Sequence, residues 1–291
     1  MTSRLGSSDW AKPHSAPAAC VEVLIPTAGR GAELAVTLAG LAAQDDPPFR
    51  VWVSDQSLAG PVTEVPAVAA MARVLRAQGR QVRFRRHLPR RGLAEQRHYL
   101  LGESTADQVL YLDDDVWLEP GTLSRLHEAL LTLGCGFVGA ALQGLSYLDD
   151  ERPREQEPFE VWDGPVRPER IRRDSPEFAR WTLHNAANVS RLSAALDASA
   201  AGWVPYKIAW VGGCVLFRRD ALVATGGFDF WNRLPAEHVG EDVVAQWRVM
   251  DTYGGAGILP SGAVHLEAPT TLPGRSTEAS EVVFAPRDTQ N

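Results

Sequence analysis

Apolar residues fall in two alternating rhythms along the first half of the chain. Short runs rich in apolar residues, "VEVLIP" (21–26), "FRVWVSD" (49–55), "QVRFRRH" (81–87) and "QVLYL" (108–112), read as strands. Between them lie longer stretches in which apolar residues are three and four apart. "GRGAELAVTLAGLAAQ" sets Leu34, Leu38 and Leu41 on one helical face, and 64–79, 92–104 and 121–134 read as helices too. This alternation predicts an α/β fold with a mainly parallel central sheet flanked by helices. Ligands of such sheets bind beyond the carboxyl ends of the strands, where Asp55 and the triplet Asp113, Asp114 and Asp115 fall.

The rhythm weakens after residue 144, and 149–180 becomes dense in charge and proline, which predicts a partly irregular excursion within about 145–205. It returns in "WVGGCVLFRRDALVATGGF" (210–228), a strand and a short helix closed by a glycine pair. "EDVVAQWRVMDTYG" (241–254) reads as a further helix, and "GILP" and "AVHLE" as late strands. Small, polar residues over 1–19 predict a mobile tail, and 268–291 a flexible tail or lid.

The 291 residues suffice for one large domain with its own core. A formal charge of -7 argues against nucleic acid as a partner. Cys20, Cys135 and Cys214 are odd in number and form no C-x-x-C pair, so neither a zinc cluster nor a disulfide framework is expected. That usage, no signal peptide and no span-length apolar segment predict a cytoplasmic protein, with peripheral contact at the inner membrane face left open.

Three adjacent carboxylates repel one another unless something positive sits beside them. In extended chain Asp113 and Asp115 would share one face and Asp114 the other, and a D-x-D pair can hold a hard divalent ion, Mg or Mn, through oxygen. Taken alone the triplet is as well explained by a solvated acidic turn.

The remaining motifs alter that balance. "VEVLIPTAGR", "VWVSDQS", "RRGLAEQR", "YLDDDVWLEPGTL", "GGCVLFRRDALVATGGFD" and "GEDVVAQWR" occur in an order and spacing that resembles the family 2 glycosyltransferases across residues 21–266. The resemblance implies a GT-A fold over 20–267, with a nucleotide-binding half (20–117) and an acceptor-binding half (118–267). It also implies a nucleotide-diphospho-sugar donor, most often a UDP-sugar, a Mn or Mg cofactor, and transfer with inversion to a carbohydrate or glycolipid acceptor.

By the same resemblance Pro26, Thr27 and Arg30 line the nucleotide site, Asp55 accepts hydrogen bonds from the base, and Arg97, following Gly92, faces the nucleotide or diphosphate. The family's usual "ARN" is here "EQR" followed by His98, which puts the contacts around Arg97 in question. Asp115 matches the metal ligand, with Asp113 and Asp114 contacting the ion, ribose or sugar hydroxyls. His265, in "GAVHLE", resembles a histidine that completes the metal site, against the plainer role of a core histidine. The "ED" of "GEDVV" corresponds to the catalytic base, assigned to Asp242 with Glu241 as a neighbour that could share the task. On its own that pair would read as an ordinary acidic helix start.

Gly212 and Gly213 would let backbone approach the donor or acceptor, or form a bulge. Of the tryptophans in the second half, Trp210 and Trp231 are candidates for stacking on a sugar ring, although most buried tryptophans are core. The arginines of "RPERIRR" (167–173) read first as a solvated face.

Three rival readings remain. A haloacid-dehalogenase-type phosphatase would need a later catalytic lysine, and the chain has only Lys12 and Lys207. A sugar-nucleotide nucleotidyltransferase would need a more glycine-rich and basic first loop. A pseudoenzyme of the same fold would be expected to lack part of the set Asp113–Asp115, Asp242 and His265.

Overall fold

The protein is described here by a computed structural model covering residues 4–12, 18–196, 202–271 and 276–285. The expected elements form in order. Strands β1 (Val21–Thr27), β2 (Phe49–Asp55), β3 (Val82–Arg86) and β4 (Gln108–Leu112) alternate with helices α1 (Gly31–Ala42), α2 (Pro66–Ala77) and α3 (Leu93–Glu103). Next come β5 (Val116–Leu118), α4 (Thr122–Leu133), β6 (Phe137–Gly139), α5 (Pro153–Gln156), α6 (Asn188–Ala195) and β7 (Val204–Tyr206). The chain continues through β8 (Cys214–Arg218), α7 (Arg219–Ala224), α8 (Glu241–Tyr253), β9 (Gly255–Leu259), β10 (Ala263–His265) and α9 (Ala279–Val283).

Eight strands form one sheet in the order β3-β2-β1-β4-β8-β6-β9-β7. The parallel expectation holds from β3 to β4, where each strand returns through a helix. Beyond β4 the sheet is mixed: β8 runs antiparallel to both β4 and β6, β9 is parallel to β6, and β7 is antiparallel to β9. One face is covered by α1, α2 and α4, whose Leu34, Leu38, Leu41, Val68 and Leu126 pack on the strands. The other is covered by α3, α7 and α8 through Leu100, Leu222, Val244 and Trp247. Every residue of β1 is buried, as a strand between two helical layers requires.

The irregular segment supplies α5, a 3-10 stretch at Pro176–His184 and α6, and it covers the end of the sheet near β7 and β9. Two expected tails have docked parts. Arg4 pairs with Asp45, and Leu5 donates from its backbone to Gln78. Near the other end α9 buries Ala279 and Ser280 against α8. The rest of those two tails, 1–3, 13–17, 272–275 and 286–291, lies outside the described residues.

Two pairings carry the site. Antiparallel β4 and β8 end with Leu112 opposite Cys214, so the Asp113 amide donates to the Gly213 carbonyl at 2.9 Å. A separate two-stranded sheet pairs β10 with β5, His265 opposite Val116, and the Leu266 amide donates to the Asp115 carbonyl at 2.8 Å. Residues 150 apart in sequence are thereby held side by side.

Candidate active site

A cleft of about 620 Å³ opens beyond the carboxyl ends of β1, β2 and β4. Its walls include Pro26, Thr27, Arg30, Gly92, all three aspartates and His265. The triplet lies in a turn between β4 and β5 rather than in extended chain, which overturns the expected alternation of faces. Asp114 and Asp115 share one cation and Asp113 takes another.

Arg30 Nη1 lies 3.1 Å from Asp114 Oδ1 and 2.5 Å from Asp115 Oδ2, and the Thr27 hydroxyl donates to Asp114 Oδ2 at 2.7 Å. Arg97 Nη2 donates to Asp113 Oδ1 at 2.8 Å. His265 Nε2 stands 3.4 Å from Asp115 Oδ2, while its Nδ1 accepts the Glu267 amide at 3.0 Å. The chain therefore tolerates three adjacent carboxylates by giving each a basic partner.

The ionisations follow from those contacts. Burial pushes Asp114 up to about 6, against the Thr27 hydrogen bond and Arg30. Burial works on Asp115 in the same sense, but the His265 hydrogen bond and Arg30 outweigh it and hold this carboxyl below its ordinary range. His265 is raised by its hydrogen bond to Asp115.

A second acid–base cluster lies deeper. Arg97, itself buried, bridges Asp113 and Glu241, whose Oε1 is 3.0 Å from its Nε. Burial raises both acids at the start of α8, and it pushes Asp242 up to about 7, with the neighbouring Glu241 charge adding to the effect. Glu241 is paired with Arg97, which leaves Asp242 the less engaged of the two carboxylates. Asp242 Oδ1 accepts its neighbour's amide, Val243 N, at 2.9 Å.

Helix α3 aims this machinery. Gly92, with φ of +103°, begins it where a Cβ would stand 2.6 Å from His238 Cε1, so the position calls for glycine. The Ala94 amide donates to His238 Nε2 at 3.1 Å. Gln96 Nε2 ties the ends of β1 and β2 together by donating to Ser54 O at 2.7 Å and Thr27 O at 3.3 Å.

Several expectations need correction. Asp55 does not line the cleft, and both its oxygens are committed: Oδ1 accepts the Ser57 amide, and Oδ2 the Val62 amide and Arg86. Burial opposes its ionisation, but those bonds win and lower its pKa. Asp55 is the anchor of the loop that follows it. Gly213 takes a φ of +72° beneath Leu142 and serves the backbone of Asp113, and Gly212 faces open space; neither lines the cleft. Trp210 packs on Phe178 with ring centres 5.8 Å apart, and Trp231 rests against the core, both away from the cleft walls.

Sequence reasoning missed Gln56, Gln96, Arg90 and Glu237, which also line the cleft, with Thr270 and Thr271 closing it from the C-terminal side. Arg30 Nη2 donates to the Pro269 carbonyl at 2.5 Å and ties that side to the triplet. For Gln96 a signal existed, since it stands where "EQR" departs from the usual "ARN".

Asp115 and His265 are of the types that bind a divalent ion, and they stand 3.4 Å apart, but the same Asp115 oxygen also meets Arg30 at 2.5 Å. Asp113 is held by Arg97, and no group of three potential ligands gathers around one point among the described residues.

A family model described as glycosyl transferase family 2 matches residues 22–198, more than half of the chain. The chain belongs to glycosyl transferase family 2. Solved structures agree on the fold. The mannosyltransferase PcManGT from Pyrobaculum calidifontis, in complex with GDP-Man and Mn2+, aligns with a TM-score of 0.54 at 18% identity over 91% of this chain and 64% of that one. S. aureus TarS 1–349 aligns with a TM-score of 0.52 at 14% identity over 84% of this chain and 60% of that one. Its complex with UDP-GlcNAc also aligns at 0.52, with 15% identity over 87% of this chain and 60% of that one. This family 2 chain therefore has the GT-A fold of these glycosyltransferases, and it spans about three-fifths of their length. No curated protein sequence matches it. Among the described residues no helix is long and apolar enough to cross a membrane.

Proposed function

We propose that the protein is a metal-dependent, inverting glycosyltransferase that moves a sugar from a nucleoside-diphosphate donor to a hydroxyl of a carbohydrate or glycolipid acceptor, in the synthesis of a glycan, surface polysaccharide or glycoconjugate. The observation that carries this reading is the cleft itself. Three aspartates, Arg30 and His265 converge at the strand ends, and next to them Arg97 joins Asp113 to Glu241, whose neighbour Asp242 is half-buried with a raised pKa. Structures of the same fold hold GDP-Man with Mn2+ and UDP-GlcNAc, which supports a donor of that chemical class.

In this reading the diphosphate lies along Arg30 and Arg90, whose charge favours its departure. Asp115 and His265, with Asp113 beside them, would hold the divalent ion, which when bound supplies further positive charge against the leaving diphosphate. Asp242 takes the proton of the acceptor hydroxyl as its oxygen attacks the anomeric carbon from the face opposite the diphosphate, which gives inversion. Arg97 fixes Glu241 next to it and keeps that carboxylate out of the reaction.

A nucleotidyltransferase would need a nucleoside triphosphate and a basic first loop, whereas the loop after β1 brings a single arginine. A sugar-nucleotide-binding pseudoenzyme would bind the donor and leave it intact.

Thermal shift with UDP and GDP, each with Mn2+, with Mg2+ or with EDTA, tests the proposal, because a ligand of the folded state raises Tm. Stabilisation by at least one diphosphate that is lost in EDTA is expected. No shift with either would contradict the donor assignment, and a shift indifferent to EDTA would contradict the ion.

A further inference from the structure

We propose that His238 is a positioning residue for the base: by capping the first turn of α3 from 144 residues away, it holds the run that carries Asp242 in a fixed place beside Arg97. The inference rests on the reading of Asp242 as the base and adds to it the residue that sets where that base stands.

Gly92 begins α3 and has no side chain with which to cap it, although the first amides of a helix need acceptors from outside. His238 Nε2 serves the Ala94 amide instead, at 3.1 Å. A carbonyl can only accept, so the 2.7 Å contact of His238 Nδ1 with the Pro235 carbonyl puts the ring's hydrogen on Nδ1 and leaves Nε2 as the acceptor. The residue is 1% exposed, and burial together with the nearby Arg97 charge keeps the ring neutral against the pull of the Pro235 bond. Both ring nitrogens are therefore in use, in one orientation and one tautomer.

Residues 238–241 thereby meet α3 twice, less than one helical turn apart: His238 at Ala94, and Glu241 at Arg97 Nε, 3.0 Å away. One tie would leave this run free to pivot, whereas two fix the direction in which Asp242, the next residue, leaves it. The C-terminal segment holds the same run by its backbone. The Val239 amide donates to the Thr277 carbonyl at 3.0 Å, and the Ala279 amide to the Val239 carbonyl at 2.8 Å. Those bonds tie the run to 277–279 and not to α3, so they do not replace the His238 link.

Helix α3 has other anchors. Gln96 fastens it to the ends of β1 and β2, and the Tyr111 hydroxyl donates to the Arg97 carbonyl at 2.8 Å. Loss of His238 would thus free the run that leads to Asp242 and leave α3 in place. A base must stand within hydrogen-bond reach of the proton it takes, and a misplacement of about 1 Å can cost about a hundredfold in rate. Ala236 and Glu237 line the cleft but His238 does not, so its loss should be felt in turnover and not in donor affinity.

Release of nucleoside diphosphate from UDP-GlcNAc and GDP-Man, with Mn2+ and with water in place of the acceptor hydroxyl, tests this in the full chain. The variants are His238→Gln, His238→Asn and His238→Leu. A Gln oxygen can stand where Nε2 stands and serve Ala94, an Asn amide can replace Nδ1 but falls short of Ala94, and Leu fills the space with neither. His238→Asn and His238→Leu are expected to lower kcat by about 10–100-fold with donor KM within about twofold of the wild type, and His238→Gln to keep kcat within about threefold. Should His238→Leu fail to fold, the contrast between Asn and Gln decides. Equal kcat in those two variants, or a loss confined to KM, would overturn the inference and leave the donor reading standing. Release from neither donor by the wild type would overturn the glycosyl-transfer reading itself, and this inference with it.

Discussion

Two clusters built from the same residue types meet at the aspartate triplet, one lining the cleft and one behind it, reaching the cleft through Asp113. Around Arg30, two buried aspartates and a half-buried histidine line the cleft, and the same guanidinium reaches the Pro269 carbonyl on the C-terminal side. Around Arg97, three acids lie near a cation whose side chain is 5% exposed, and burial raises two of them, Glu241 and Asp242. A pair that lines the cleft can be offered a ligand's charges in place of a lost partner, whereas the Arg97–Glu241 pair behind it cannot lose a partner cheaply. The first cluster suits binding and release. The second suits holding a base at a fixed place with a pKa near neutrality.

The largest effect that sharpens this contrast should come from Arg97→Met. It strands Glu241 without its cation, and breaking a buried pair in this way costs about 3–5 kcal/mol. Denaturant unfolding should show a loss of that order; a loss below about 1 kcal/mol would mean that the inner cluster is no more committed than the outer one.

Asp242→Asn should come next, and its signature is catalytic. Release of nucleoside diphosphate should fall by about 10²–10⁴-fold. The pH profile adds a check of sign. A base must be deprotonated to accept, and the Asp242 pKa is raised to about 7, so the wild-type rate should climb as pH rises through that value and level off above it. The Asn variant should lose that step. Ionised Asp242 costs stability as pH rises above the ordinary carboxylate range, so at pH 8 the variant should be no less stable than the wild type. A flat wild-type profile between pH 5 and 9 would place the base elsewhere.

Arg30→Gln should be milder for the fold than Arg97→Met, because Thr27 still serves Asp114 and His265 still serves Asp115. Its effect should appear in ligand affinity instead.

Much of this arrangement was legible in the chain. Periodicity gave β1 to β4 and their helices because those strands lie between two helical layers, so their apolar runs are continuous and their turns sharp. The antiparallel turn at β8 was not legible, because a short buried strand reads alike in either direction. Nor was β5, three residues whose partner β10 lies some 145 positions away.

At the site the aspartates, Arg30, Arg97 and His265 stood out by residue type. Asp55 was misread because its sequence position shows the end of a strand but not the amides of Ser57 and Val62 folding back onto it. Gln56 and Gln96 were passed over because neutral amides carry no charge pattern. Only the structure shows that Gln96 Nε2 has two acceptors and Gln56 Nε2 has none. Trp210 and Trp231 were overvalued for the opposite reason, since aromatic rings draw notice whether they face sugar or core.

The division of labour between the two clusters is tested most directly by titrating the preferred nucleoside diphosphate, with Mn2+, into Asp242→Asn and Arg30→Gln side by side with the wild type. Asp242→Asn should bind within about twofold of the wild type while Arg30→Gln binds about tenfold more weakly. The reverse pattern, binding lost with Asp242 and kept without Arg30, would contradict the account.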